Sequence, residues 1–340
     1  MNHSRESRAC PCCGSADVKI AVPRDVIARE SDIRTAFARR RANGTTGRQD
    51  LKDRASFTHD EAVDLLECRR CGLLIRGDLD RDFTAVYARD HYDRAVLEHF
   101  LQRDIRFFSH KRADYAPLLE KGARVVEVGS YAGGFLHAAK AWGWDVLGID
   151  VGEDVAAFAN EKGYPTLRGT LESCQFPASS VDGVFIWNCF DQLPDPNEAL
   201  EEVRRILKPG GLLLIRVPNA LFYRLCQPIL RFASEDSEID PSEQMITKIM
   251  GYNNLLGFPY QYGYAPPNLR HIVERHGFAM ERLTPSHLMM LPEAEAPGWA
   301  LKEQHRTMQL LASIKDALSA VQEDALAGPW IELLARKPGT

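Results

Sequence analysis

The sequence contains no apolar run that reaches the roughly 18 residues of a membrane-spanning helix. It does not open on a basic segment followed by an apolar one, the pattern of a secretory leader. We therefore expect a cytoplasmic protein without a membrane partner. The formal net charge of −5 gives no positive excess for a phosphate backbone, which disfavours a nucleic-acid partner.

Internal repeats are also absent, which argues against solenoid and propeller architectures. The chain has 340 residues, of which 45% are hydrophobic and 26% are charged. This composition is sufficient for a domain of about 250 residues with an ample core, together with a smaller second domain.

The dinucleotide pattern G-x-G-x-x-G is missing where it would be expected, after the first strand of an α/β unit. The apolar stretch 124–128 instead leads into Gly129, Gly133 and Gly134, and a second apolar stretch ends in Asp150. Glycines let the backbone approach a ligand, and an acid at the next strand end accepts hydrogen bonds from ribose hydroxyls. The spacing therefore indicates a nucleotide site that is not an NAD site.

This segment resembles the first motif of the class I S-adenosylmethionine methyltransferases, roughly E/D-x-G-x-G-x-G. Glu127 and Gly129 match the motif, whereas Tyr131 stands where the family usually has glycine. The turn Leu207–Gly211, between a predicted helix and strand, matches the L-K-P-G-G hinge common in this family. The resemblance implies an α/β, Rossmann-like methyltransferase sheet with helices on both faces. The alternative is another doubly wound sheet.

The resemblance also implies a site for S-adenosylmethionine, with S-adenosylhomocysteine as the product. It places Glu127 near the amino group of the cofactor and Asp150 at both ribose hydroxyls. Thr170 and Leu171 would lie near the adenine. The full set of implied cofactor-binding residues is Glu127, Gly129, Ser130, Tyr131, Gly133, Asp150, Val151, Thr170, Leu171, Asn188 and Cys189.

A general base is needed only if the methyl acceptor arrives protonated. Family members often carry a histidine in the segment that corresponds to 187–194, where this chain has Asp191. The candidate bases are Asp191, His91 and Tyr262. Asp191 is also compatible with a loop cap, and His91 with a structural role near a helix start.

Two C-x-x-C-G segments, Cys10–Gly14 and Cys68–Gly72, form a second strong signal. The glycine after each pair permits the tight turn that points backbone amides at the sulfurs. Four thiolates in two such segments make a closed tetrahedral zinc site with no position left for a catalytic water. The predicted ligands of this structural zinc ion are Cys10, Cys13, Cys68 and Cys71. A disulfide or a redox pair is the alternative.

The sequence divides into a zinc-ribbon-like module, residues 1–85, and a methyltransferase domain, residues 86–340. The α/β alternation breaks at residues 219–264, which we expect to be a helical cap insertion that selects the acceptor, since it follows the fifth strand. Its apolar residues are predicted to form a pocket wall or, alternatively, a homodimer contact. These residues are Leu221, Phe222, Leu225, Leu255, Leu256 and Phe258.

The combination of a four-cysteine module with this core resembles bacterial methyltransferases of sugar and secondary-metabolite pathways. It implies a small-molecule acceptor and leaves oxygen, nitrogen and carbon open as the methylated atom. An RNA methyltransferase is a rival class, because some ribosomal RNA methyltransferases also carry an N-terminal zinc module and because the run Arg34–Arg41 is basic. A non-catalytic partner protein with the same fold is another, suggested by Tyr131.

Overall fold

The computed structural model describes residues 9–41, 62–77, 84, 88, 91–230, 241–258, 260–288, 298–319 and 328–339. The chain forms two compact units. The first, here called the cysteine unit, comprises Met1–Asp80, Pro218–Ile272 and Pro285–Ile331. The second, the sheet unit, comprises Arg81–Val217, Val273–Thr284 and Glu332–Thr340. Within the described ranges, no helix is both long and apolar enough to cross a membrane.

A small sheet organises the cysteine unit. Its strands, in hydrogen-bonding order, are β1 (Val18–Val22), β2 (Leu65–Cys68), β3 (Leu74–Arg76) and β9 (Tyr262–Gly263). All three pairings are antiparallel, and β3 meets β9 through Leu74–Gly263 and Ile75–Tyr262. In the part of this unit that the structure describes, the helices are Arg24–Arg41, Ala220–Cys226, Pro241–Tyr252 and Gly298–Ser319, with a 3-10 turn at Gln227–Ile229.

The hydrophobic core of the cysteine unit joins residues from distant parts of the sequence. Its buried members include Val22, Ile27, Leu65, Leu74, Phe222, Ile249, Leu255, Leu256 and Phe258. The excursion 219–264, which the predicted division places in the methyltransferase domain, contributes to this core and falls within the cysteine unit. The reason is that its apolar side chains bury their surface against the N-terminal strands and helix.

This core corrects the prediction of an apolar pocket wall. Phe222, Leu255, Leu256 and Phe258 are each at most 5% exposed, and they pack in the core instead of lining a wall. Leu225 is 60% exposed. The part of the excursion at residues 231–240 lies outside the described residues, as do the side chains of residues 38–41 in the basic run.

A buried carboxylate ties three segments of the cysteine unit together. Glu30, on the helix Arg24–Arg41, is 2% exposed and accepts hydrogen bonds from the Tyr223 hydroxyl at 2.9 Å and the Gly257 amide at 3.0 Å. Burial raises the pKa of Glu30 to about 7, although both donors favour the charged form. Polar bonds as well as apolar packing therefore anchor the helix to the excursion.

The sheet unit contains a larger sheet. Its strands are β4 (Arg124–Val128), β5 (Asp145–Asp150), β6 (Thr166–Arg168), β7 (Val181–Trp187), β8 (Leu207–Pro218), β10 (Ala279–Ser286) and β11 (Trp330–Arg336). They are ordered β10-β11-β8-β7-β4-β5-β6. From residue 91 onward, the described helices of this unit are Arg94–His110, Arg112–Tyr115, Gly134–Trp142, Glu153–Glu161 and Pro196–Ile206, with 3-10 turns at Ala116–Leu118 and Phe190–Gln192. The helix Pro266–Arg275 contains residues assigned to both units.

The helix Pro196–Ile206 illustrates how local sequence forms these elements. Asp195 caps it by accepting hydrogen bonds from the amides of Asn197 and Glu198, and proline occupies its first position. Its buried positions follow the helical period and face the sheet. They are Pro196, Ala199, Leu200, Val203 and Ile206. The predicted helix over this segment is confirmed.

Chain direction places the functional edge of the sheet. The pairs β4–β5, β5–β6, β4–β7 and β7–β8 are all parallel. The chain runs outward from β4 to β5 and β6, then returns to β7 and β8 on the other side. Right-handed crossovers in opposite directions put helices on both faces, and ligands bind at such a reversal, beyond the carboxyl ends of the strands. The predicted Rossmann-like α/β fold is confirmed.

Candidate functional site

The glycine loop that follows β4 is fastened to β5. The amides of Gly129 and Ser130 both donate to the carbonyl of Ile149, at 2.8 and 3.0 Å. Gly129 has φ 71°, and a Cβ there would lie 2.7 Å from the Sγ of Cys189. Only glycine fits without a shift, because a side chain would collide and the left-handed backbone would be strained. The loop therefore joins the ends of β4, β5 and β7.

Tyr131 stands at the position where glycine is usual, and it keeps a left-handed backbone, with φ 46°. Its amide donates to Asp150 Oδ2 at 2.8 Å. Its ring packs edge-on against Tyr92 and Phe100, with centroids 5.6 and 5.5 Å away. These contacts offset the roughly 1–2 kcal/mol that a left-handed conformation costs an ordinary residue. The departure from the motif adds an aromatic side chain without removing the turn.

Gly133 closes the loop where the helix Gly134–Trp142 begins. Its φ is 85°, and its amide donates to the Ser130 carbonyl at 2.9 Å. A Cβ at this position would lie 2.8 Å from the ring of Tyr164. The backbone is thus packed too tightly for a side chain at both ends of the loop.

The carboxylate of Asp150, at the end of β5, faces this loop. Oδ2 accepts from the amide of Tyr131 at 2.8 Å, and Oδ1 accepts from the amide of Gly152 at 2.9 Å. The amide of Val151 also stabilises the charged form, yet burial raises the pKa of Asp150 above its ordinary value. Each carboxylate oxygen has a further lone pair, so the group can still accept hydrogen bonds from two adjacent hydroxyls.

Glu127 lies one position before the end of β4 and is 3% exposed. No described residue donates a hydrogen bond to its Oε2. Burial, followed by repulsion from Asp104 and Asp150, raises the pKa of Glu127 well above its ordinary value. A buried acid that lacks a donor is costly, and a cationic ligand group would relieve that cost.

The turn after β6 places Thr170 and Leu171 next to Asp150. The amide of Gly169 donates to the backbone carbonyl of Asp150 at 2.9 Å. Thr170 and Ser173 close the turn reciprocally, each amide donating to the other hydroxyl, at 2.9 and 3.3 Å. The two residues predicted near the adenine therefore follow β6, whose end is hydrogen-bonded to the end of β5 that holds the predicted ribose acceptor.

The loop after β7 carries Asn188 and Cys189. Asn188 has φ 59°, and its Oδ1 accepts a hydrogen bond from Nη1 of Arg216 on β8. Cys189 Sγ donates to the carbonyl of Val128 at 3.1 Å. Side-chain bonds to β4 and β8 thus fix the conformation of this loop. Sequence reasoning selected Asn188 and Cys189 but missed Arg216, which no motif marks.

Arg216 belongs to a buried network of charged side chains within the sheet unit. It is fully buried, forms an ion pair with Glu332 at 3.4 Å, and lies 5.1 Å from the ring centroid of Phe107. Glu332 also pairs with Lys111 and accepts from the Tyr115 hydroxyl. Burial lowers the pKa of Arg216 to about 10, which leaves it protonated at neutral pH. Through Arg216, the network holds the side chain of Asn188 in place.

The three candidate bases occupy very different surroundings. Asp191 is fully buried, no described residue bonds either side-chain oxygen, and burial raises its pKa well above the ordinary value. The side chain of His91 is 88% exposed, and its Nδ1 lies 3.0 Å from Asp154 Oδ2. Tyr262 is 5% exposed and lies on β9, in the cysteine unit. Only Asp191 and His91 therefore belong to the sheet unit.

The two C-x-x-C-G segments converge within the cysteine unit. One ligand atom from each of the four cysteines lies within 4.8 Å of the others, and Cys10–Cys71 and Cys13–Cys68 are 3.6 and 3.5 Å apart. Gly14 and Gly72 have φ 74° and donate their amides to the carbonyls of Cys10 and Cys68 at 2.8 Å. Sulfurs about 2.3 Å from a tetrahedral zinc ion would be spaced about 3.8 Å apart, close to these distances.

Cys12 lies inside the first C-x-x-C-G segment, here called a knuckle like the second one, but it is not one of the four clustered cysteines. It is fully buried, and its Sγ donates to the carbonyl of Asn268 at 3.4 Å. The Asn268 side chain in turn donates to the carbonyl of Cys71 at 3.5 Å. Cys12 therefore fastens the knuckle to the start of the helix Pro266–Arg275.

A family model described as "Methyltransferase domain" matches residues 97–283, more than half of the chain. The C-methyltransferase NovU of Streptomyces niveus is 29% identical over 164 residues, which are 46% of this chain and 38% of that protein. The 2-methyl-6-phytyl-1,4-hydroquinone methyltransferase of a Synechocystis species is 31% identical over 134 residues, 37% of this chain and 42% of that protein. The chain thus spans only about two fifths of the length of these relatives.

Solved structures of similar shape include an S-adenosylmethionine-dependent methyltransferase from Archaeoglobus fulgidus. It is 18% identical, with a TM-score of 0.46, 72% of this chain covered and 100% of that chain. A phosphoethanolamine N-methyltransferase from Haemonchus contortus is 20% identical, with a TM-score of 0.47, 76% of this chain covered and 60% of that chain.

Proposed function

We propose, since the chain belongs to the methyltransferase-domain family, that it transfers a methyl group from S-adenosylmethionine to a small-molecule acceptor. The observation that carries the proposal is the edge formed by the ends of β4, β5 and β7. There, a loop with no room for a side chain at Gly129 or Gly133 lies beside two acids, the buried Glu127 and the half-buried Asp150. The names of the two curated relatives, a C-methyltransferase and a hydroquinone methyltransferase, support a small-molecule acceptor.

The residues at this edge fit the cofactor. Glu127 Oε2, buried and without a donor among the described residues, suits the ammonium of the methionine portion. Asp150 keeps acceptor capacity for ribose hydroxyls, and the turn at Thr170 and Leu171 suits the adenine. Burial, followed by repulsion from Asp191, Asp150 and Glu127, raises the pKa of Cys189 well above its ordinary value, so several acids lie near the loop after β7. Such a set of buried acids favours a ligand with net positive charge.

When bound, S-adenosylmethionine supplies an electrophilic methyl group that a nucleophilic atom of the acceptor displaces in line. The contribution of this chain is then mainly to position the reactants and exclude water. Asp191, if it serves as the base, must first lose the proton that its burial favours, and must gain access to the acceptor. His91 and Tyr262 stay as the other candidate bases.

We further propose that Cys10, Cys13, Cys68 and Cys71 hold one structural zinc ion. The sulfur spacing and the two glycine knuckles support this assignment. Four protein ligands leave no open position, so the ion would stabilise the cysteine unit and take no part in catalysis. The choice of acceptor by the excursion 219–264 stays a prediction.

Calorimetric titration with S-adenosylhomocysteine tests cofactor binding directly, and turnover with a panel of sugar-type and phenolic acceptors tests transfer. We expect saturable binding and methylation of at least one acceptor. Binding without any turnover would favour the non-catalytic partner protein, whereas salt-sensitive RNA binding with RNA methylation would favour the rival enzyme class. Absence of cofactor binding by folded protein would overturn the proposal.

A further inference from the structure

Arg103, on the helix Arg94–His110, has guanidinium N–H groups that donate no hydrogen bond to any described residue. Arg103 Nε donates to Asp104 Oδ1 at 2.7 Å, and the guanidinium carbon lies 4.5 Å from the ring centroid of Phe100. The Arg103 side chain is 28% exposed. No described residue accepts a hydrogen bond from its Nη1 or Nη2. Those two nitrogens form the end-on fork of the guanidinium, the edge that binds carboxylates bidentately.

The contact between Arg103 and Asp104 is itself unusual. Neighbouring residues on a helix ordinarily point about 100° apart and do not face each other. Here the two side chains meet through the hydrogen bond from Arg103 Nε to Asp104 Oδ1. Burial works to lower the pKa of Arg103, and the attraction of Asp104 more than reverses this effect, so the guanidinium stays charged.

The Arg103–Asp104 pair lies next to the glycine loop. A Cβ on Gly134 would lie 2.4 Å from the Cβ of Asp104, so the helix Arg94–His110 lies directly against the start of the helix that follows the loop. Besides burial, repulsion from Asp104 raises the pKa of Glu127. Burial also raises the pKa of the Tyr131 hydroxyl, and the nearby charge of Arg103 works to lower it. One cation and two acids therefore lie close together beside residues 129–133.

We propose that Arg103 receives the α-carboxylate of the methionine portion of the cofactor, while Glu127 and Asp104 face its ammonium. The inference rests on the proposed function. It follows from charge and geometry, because a zwitterionic amino-acid group needs an anion receptor and a cation receptor a few ångströms apart. Of the implied cofactor-binding residues, only Glu127 and Asp150 carry charged side chains, and both are acids, which can bind the ammonium but not the carboxylate.

The test compares three ligands by calorimetry. S-adenosylhomocysteine carries both charged groups, its decarboxylated analogue keeps only the ammonium, and 5′-methylthioadenosine lacks both. The variants are Arg103→Met, which keeps the stem without the charge, and Arg103→Lys, which keeps the charge without the fork. Arg106→Met is the matched control, since it removes an exposed cation one turn further along the same helix.

We expect Arg103→Met to weaken S-adenosylhomocysteine about 10- to 100-fold, the range of charge-assisted hydrogen bonds, and to change the other two ligands less than threefold. Arg103→Lys should show a smaller loss for S-adenosylhomocysteine alone, and Arg106→Met should leave all three affinities unchanged. Equal weakening of all three ligands by Arg103→Met would assign the residue a structural role and overturn the inference, as would no weakening. Failure of the wild-type protein to bind any of the three ligands would instead overturn the proposed function.

Discussion

The parallel core of the sheet unit is assembled from successive stretches of sequence, whereas the cysteine unit is assembled from stretches far apart in the chain. In the sheet unit, β4, β5 and β6 follow one another and pair side by side. In the cysteine unit, the bonds Glu30–Tyr223 and Cys12–Asn268 join residues 193 and 256 positions apart. The cysteine unit therefore depends on contacts between distant segments, and the parallel core of the sheet unit on pairing between successive ones.

Removal of one cysteine thiol should have the largest effect, and it should destabilise the cysteine unit more than the sheet unit. Equal destabilisation of both units would contradict the comparison. We expect Cys68→Ser to lose the zinc and to lower the free energy of unfolding of the cysteine unit by about 3 kcal/mol or more. Elemental analysis measures the metal, and hydrogen exchange compares Leu65–Cys68 with Asp145–Asp150. Cys174→Ser, outside the cluster, is the control. Full zinc occupancy in Cys68→Ser, or no zinc in anaerobically prepared wild-type protein, would refute the metal assignment.

The Glu30 cross-link should give the next largest effect, through pH. The folded-state pKa is about 7 against an ordinary 4.5, so between these values the folded chain keeps a proton that the unfolded chain has lost. Glu30 therefore contributes less stability as the pH rises through this window, by at most about 3 kcal/mol.

Denaturant unfolding at pH 5 and pH 8 measures this contribution. The difference in free energy between wild type and Glu30→Gln should shift in favour of the glutamine variant at pH 8. Asp32→Asn, an exposed acid on the same helix, should show no such shift. A Glu30→Gln difference that is the same at both pH values would show that the carboxylate is not linked to folding.

In the sheet unit the corresponding test concerns ligand binding. We expect Asp150→Ala to weaken S-adenosylhomocysteine binding by about 2–3 kcal/mol, because two charge-assisted hydrogen bonds to the ribose are lost and water replaces them in part. Calorimetry checks this value, and Asp145→Ala, exposed at the start of the same strand, is the control. Unchanged affinity in a folded Asp150→Ala variant would reject the ribose assignment.

The smallest effect should come from His91. Its contact with Asp154 is exposed, and such pairs contribute little, so His91→Asn should change stability by less than about 0.5 kcal/mol and turnover by less than twofold. Acceptor turnover and thermal unfolding are the two measurements. A hundredfold loss of turnover at normal stability would instead identify His91 as the base.

The same contrast explains what the sequence could predict. The strands β4, β5 and β7 are short apolar runs, and the glycines and Asp150 stand at fixed distances from them, so the cofactor edge is encoded locally. The meeting of the four thiols was also predictable, because each C-x-x-C-G segment is a local turn and a shared metal supplies the reason for convergence.

Other features had no local signal. β9 has only two residues, too few to show a period of two, and its partner β3 lies far away in the sequence. The apolar character of the excursion predicts that its residues are buried, but it does not identify the surface against which they pack. Arg103 and Arg216 belong to no motif, since their roles depend on the spatial neighbours Asp104 and Asn188.

The pairing of β3 with β9 has a consequence for the order of events on the ribosome. The N-terminal strands and cysteine knuckles emerge first, yet their sheet lacks its last strand, and their core lacks most of its side chains, until residues 220–263 have been synthesised. A nascent chain that stops before that point exposes apolar surface and four thiols together. A fragment that ends at residue 85 should therefore fold incompletely and tend to aggregate. A chaperone or a supply of zinc should matter most before residues 220–263 are synthesised.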